Sequence, residues 1–78
     1  MRSTIEEVNT TELDEIMLPY GHTVKLKEIE YQNGMKILRA TIRENRRFTT
    51  LDFDAERAND LATALMNWSK TAKSADTN

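Results

Sequence analysis

The side chains able to do chemistry in this 78-residue chain are few and widely spaced. His22 is the one histidine, and cysteine is absent, which removes disulfide, thiolate-metal and thiol-nucleophile chemistry together. A zinc-type centre needs several N, S or O ligands at close spacing, and one imidazole with scattered carboxylates does not supply them. A Ser or Thr nucleophile needs a base beside it, and no triad order is present. Gly21 and Gly34 stand alone, so there is no glycine-rich phosphate loop. One constellation remains. Glu28, Arg39 and Asp52 converge across three strands if the chain folds as a meander, giving either an acid pair around an arginine or an ordinary cross-strand ion network. The ion network is favoured. The chain is expected to be non-enzymatic, with no cofactor and no metal.

Charge offers more than catalysis does. The net charge is −2, but its distribution is uneven. Residues 1–21 hold one Arg against five acids, residues 22–51 seven bases against three acids, and residues 52–78 three bases against five acids. A basic middle between acidic ends is either the solvated surface of strands and a helix or a binding face. No apolar run approaches the roughly 20 residues of a membrane span, so a cytoplasmic address is expected and no membrane contact.

The elements that must position these groups follow from periodicity. Residues 1–12 are polar and acidic and read as a mobile N-terminal arm. Ile16, Leu18 and Tyr20 alternate around Pro19, which suits a short fourth edge strand; a single helical turn capped by Thr11 competes with it. Asn33-Gly34 marks a hairpin. A two-residue loop there pairs Tyr31 with Lys36, Ile29 with Leu38 and Glu28 with Arg39. Val24 and Leu26 then have the wrong parity, and a β-bulge near Lys27-Glu28 restores Leu26 opposite Ala40 and Val24 opposite Ile42. A second turn at Asn45-Arg46 pairs Ile42 with Thr49, Ala40 with Leu51, Leu38 with Phe53, Arg43 with Phe48 and Arg39 with Asp52. Asp54 is an N-cap for a helix from about Ala55 to about Ala72, with Glu56 in its first turn. Ala58, Leu61, Ala62, Leu65, Trp68 and Ala72 form its apolar stripe.

The expected fold class is therefore α+β, a three-stranded antiparallel meander, optionally four-stranded, with one C-terminal helix packed on one face. The domain spans residues 13–72, and residues 73–78 form a frayed tail. Leu61, Leu65 and Trp68 should be buried against Leu38, Ala40, Leu51 and Phe53, with Trp68 a core anchor. One helix covers only one face of such a sheet. The other face holds Ile37, Arg39, Thr41, Arg43, Phe48, Thr50 and Asp52, with Glu28, Glu30 and Gln32 from the first strand of the hairpin.

Met35, Ile37 and Phe48 make that outer face more apolar than water requires. With Arg39, Arg43, Arg46 and Arg47 they form the candidate partner surface. A domain this small often gains stability by association, so a homodimer through this face is expected. Single-stranded nucleic acid is the alternative partner, since bases stack on aromatics set among cations, and Lys25, Lys27 and Lys36 could assist. Glu28, Glu30, Asp52 and a pI near 5.3 weigh against it.

Leu18-Pro19-Tyr20-Gly21-His22, followed by Leu38-Arg39 and Ile42-Arg43-Glu44, resembles a group of small uncharacterised bacterial proteins across most of residues 13–70. That resemblance implies no activity. The order of strands and helix over about residues 24–70 has a looser likeness to PC4-like single-strand DNA-binding coactivators, which implies a dimer; no diagnostic motif accompanies it.

Overall fold

A computed structural model describes residues 6–76, with side chains to residue 73. It consists of four strands, β1 Glu7–Met17, β2 Thr23–Tyr31, β3 Lys36–Glu44 and β4 Arg47–Phe53, followed by one helix, α1 Ala55–Asp76. The strands pair antiparallel in chain order β1-β2-β3-β4 as one open sheet. The fold is the expected α+β class, with the fourth strand present.

That fourth strand is longer and earlier than expected. Residues 7–12, assigned to an arm outside the sheet, are the first half of β1 and pair with β2 from Glu7 opposite Tyr31 to Glu12 opposite Lys27. Residues 1–5 lie outside the described residues. An edge strand is held by main-chain hydrogen bonds on one side, so it needs no apolar alternation to form. Its register shifts between Glu7 and Asn9 and between Glu12 and Asp14, at Val8 and Leu13. Both side chains are exposed. Bulges and acidic side chains of this kind blunt an edge against further strand pairing. β1 ends at Met17, and Pro19–Gly21 form a single 3₁₀ turn instead of continuing the strand. Tyr20 sits there with φ 65° and 92% exposure.

The β2–β3 hairpin is where Asn33-Gly34 places it, but its register differs by one. Val24 faces Ile42 and Leu26 faces Ala40, as required, while Glu28 faces Leu38, Ile29 faces Ile37 and Glu30 faces Lys36. No bulge interrupts Lys27-Glu28. The extra residue lies in the turn itself. Tyr31 N–H donates to the Met35 carbonyl and Gly34 N–H to that of Tyr31, leaving Gln32-Asn33-Gly34 as a three-residue loop. Gly34 has φ 90° there, a conformation that glycine adopts without the penalty a Cβ imposes. The Asn33 side chain accepts the Met35 N–H at 2.9 Å. The β3–β4 ladder matches the expected pairs throughout, from Leu38 opposite Phe53 to Arg43 opposite Phe48.

Asp54 caps α1 as expected, its carboxylate accepting the Arg57 N–H at 2.7 Å. The helix continues to Asp76, past the expected end near Ala72. Residues 77–78 lie outside the described part. Twenty-two residues make about 33 Å of helix, of which only the first half, to Leu65, lines the inner face of the sheet. The one-residue junction at Asp54 gives the helix no loop in which to turn and lie flat. It overhangs, and the molecule measures 61 × 30 × 20 Å.

Candidate functional site

The β2 register redistributes the side chains of both faces. Glu28 and Glu30 belong to the inner, helix side, and Lys25, Lys27, Ile29 and Tyr31 to the outer side, because directly opposed residues share a face. On that outer side β1 adds Glu7, Glu12 and Glu15, opposite Tyr31, Lys27 and Lys25. The basic middle of the sequence is thus matched by a row of acids, of which the arm assignment had left Glu7 and Glu12 off the sheet.

Arg39 is the centre of the outer face. Its guanidinium donates to both carboxylate oxygens of Asp52, at 2.9 and 3.1 Å, and pairs with Glu7 at 3.6 Å. Glu28, the expected third member, instead approaches Lys36 at 3.9 Å on the other face. The register puts Arg39 level with Lys27 and Glu7 level with Tyr31, so the line between them crosses β2 at Ile29. Ile29 beneath it is 2% exposed, the most buried side chain described. The ion pair passes over Ile29.

Hydrogen bonding to Arg39 holds the Asp52 carboxyl below its ordinary value of 3.8, against the opposing effect of burial. The same bonds raise Arg39 above its ordinary value. A depressed acid stabilises the fold fully above the unfolded value near 3.8 and loses that contribution as pH falls through the folded value. Both partners are partly exposed, so the contribution stays below about 1 kcal/mol. Asp52→Asn should therefore be slightly less stable than wild type at pH 7, and denaturation curves of the two should converge by about pH 2–3. A gap that persists there would mean that Asp52 acts by packing and not by charge.

The candidate partner residues do not form one patch. Met35 lies at the β2–β3 turn and Arg46 at the β3–β4 turn, at opposite ends of β3. Ile37 is half-buried and Arg39 is engaged. Arg43 lies over the Phe48 ring at 5.9 Å and donates to the Asn45 carbonyl, while Phe48 stays 63% exposed. Arg46 and Arg47 border an open depression with His22, Glu44 and Asn45. Tyr20, edge-on to His22 at 6.3 Å, stands at that same end.

The inner side contains the larger feature. Ile16, Val24, Leu26, Leu38, Ala40, Ile42, Leu51 and Phe53 of the sheet face Ala58, Leu61, Ala62 and Leu65 of α1, with Leu18 at one end, across a cleft of about 470 Å³. The predicted helix stripe is present and aimed at the predicted sheet residues. It is not covered. Leu61 is 44%, Leu65 59% and Trp68 71% exposed, so the expected burial of these three is corrected, and Trp68 is no core anchor within one chain. Among the described residues only Ile29 and Ala40 are buried hydrophobics. Periodicity showed which helix face was apolar; it carried no information on whether the helix reaches the sheet.

Every residue lining the cleft is apolar. A small-molecule site needs a few convergent polar groups to orient its ligand, and this cleft offers none. Among the described residues no group of three or more His, Cys, Asp or Glu could hold a metal ion. No helix among them is long and apolar enough to cross a membrane.

Comparison with known proteins gives one positive result. Residues 7–71 match the sequence profile of a family of unknown function (DUF6967). No curated protein and no solved structure matches.

Proposed function

The chain belongs to that family of unknown function, which transfers no activity, and we propose that it is a non-enzymatic interaction module acting in the cytoplasm as a homodimer closed over its apolar cleft. The observation that carries this is the mismatch between apolar surface and core. Two buried hydrophobic side chains among the described residues leave a long apolar helix face in water and the sheet opposite it mostly half-covered. Burial is worth about 25 cal/mol per Å², so such a surface favours a partner. The outer face, where self-association was expected from the sequence, is less suited. Ile37 there is half-buried, Arg39 is engaged by Asp52 and Glu7, and Phe48 already has Arg43 over its ring.

Light scattering tests this directly. The wild-type mass should be twice the 9.0 kDa chain mass, and Phe48→Glu should leave it unchanged. Loss of the dimer in Phe48→Glu would restore the outer face as the contact. A monomer at high micromolar concentration would end the homodimer reading altogether.

One observation favours nucleic acid as a second reading, at the Arg43, Arg46, Arg47 and Phe48 end of the face first expected, with Tyr20 and His22 added. Tyr20, His22, Arg46 and Arg47 gather at one end of the sheet with Arg43 and Phe48 nearby. Aromatics among cations suit single-stranded nucleic acid, while Glu7, Glu12 and Glu15 oppose it along the rest of the outer face. An oligonucleotide added to the same measurement should raise the mass in a strongly salt-dependent way if this end is the site.

A further inference from the structure

Resting on the homodimer reading, we infer that the element closing the cleft is α1 of a second copy, lying antiparallel to the resident α1 with the two helices crossing level with Leu65. The first argument is what remains uncovered. Beyond the four α1 residues that line the cleft, the overhanging half of the helix still carries Met66 at 57% and Trp68 at 71% exposure. A two-fold axis level with Leu65 brings Trp68 of the second copy beside Leu61 and Ala62, at the mouth of the cleft, and Ala72 level with Ala58. Each overhang then fills the other chain's gap, and the small residues let the helices approach.

Charge sets the direction. Asp54, Glu56 and Asp60 outnumber Arg57 at the N-terminal end, and Lys70 and Lys73 outnumber Asp76 in the C-terminal half, so the two halves carry opposite net charge. Antiparallel helices set acidic ends beside basic ones and oppose their macrodipoles, whereas parallel helices set like beside like.

Area sets the scale. The chain exposes 6674 Å², whereas a compact chain of this mass exposes about 4,900 Å². Its radius of gyration is 15.9 Å, against about 11.5 Å for a compact chain of this length. The surplus, on the order of 1,800 Å² over the whole chain, is an upper bound on what closure buries, and it exceeds the roughly 1,000 Å² per partner at which obligate dimers begin.

The chain has no cysteine, so single cysteines can report the arrangement. Ala58→Cys and Ala72→Cys proteins are prepared separately, then unfolded and refolded together, and treated with a short thiol-to-thiol crosslinker. The mixture should yield covalent dimer several-fold above either protein alone, and Leu65→Cys should crosslink with itself. Efficient crosslinking of Ala58→Cys alone would show parallel helices and overturn the inference. A dimeric mass with no crosslink in any of these would place the contact elsewhere; the homodimer would stand and the helix pairing would fall. A monomeric mass would remove both.

Discussion

Leu65→Glu is expected to break the proposed homodimer into monomers and to leave that monomer only marginally folded. Leu65 lies at the middle of α1 and lines the cleft, yet is 59% exposed within one chain. In an isolated protomer the new carboxylate would stay hydrated and cost little. In a closed dimer it is desolvated without a partner, a penalty of several kcal/mol, and each 1.4 kcal/mol is a tenfold loss of affinity. The dissociation constant should rise by at least about a hundredfold. Because folding and association are linked, the wild-type unfolding midpoint should also rise with protein concentration, and that dependence should vanish in the variant. Sedimentation and denaturation at two concentrations read both effects. A variant that keeps its mass and stability would show that the helix stripe meets only water. Leu65→Ala, which a docked helix would make costly by about 2–5 kcal/mol, should show that cost through weakened association.

The second large effect lies on the opposite face. Ile29→Ala should destabilise the fold by about 2–5 kcal/mol at fixed protein concentration, the range for emptying a buried Ile site. Ile29 is enclosed by Thr10 and Ile37 as ladder partners and by the Arg39–Glu7 ion pair passing over it. A sheet held on one side by an edge strand has little room to collapse into the vacancy. Chemical denaturation at pH 7 measures the loss, which should leave the mass of the proposed homodimer unchanged because the site faces away from the cleft. A near-neutral result would mean that the ion pair does not hold the outer face closed.

These two residues also mark where inference from sequence succeeded and where it failed. Alternation identified the β3–β4 ladder pair by pair, because Asn45-Arg46 admits only one loop length that keeps Ala40 and Ile42 on the face of Leu51 and Phe53. It located the β2–β3 hairpin and both apolar pairs, Val24 with Ile42 and Leu26 with Ala40. It placed the extra residue wrongly, since a bulge at Lys27-Glu28 and a three-residue turn through Gly34 repair the same parity. The choice moved Glu28 and Glu30 to the inner face and Ile29 to the outer one. β1 was legible only at its end, because the strand from Glu7 is held by backbone hydrogen bonds that leave no pattern in side chains. Its absence removed Glu7, and with it the reason Ile29 is buried.

What the amino-acid order determined by itself is local: strand alternation, turn positions, the Asp54 cap and the α1 stripe. These depend on residues within a few positions of one another, which sequence spacing records. What only the tertiary structure decided is relational. Arg39 bonds to Asp52 and reaches Glu7, 32 positions away in the chain, and α1 overhangs the sheet it was expected to cover. A helix stripe has the same periodicity whether it meets its own sheet or another copy's. The difference lies in how far along its length α1 lines the sheet, which is settled only once the elements are set in space.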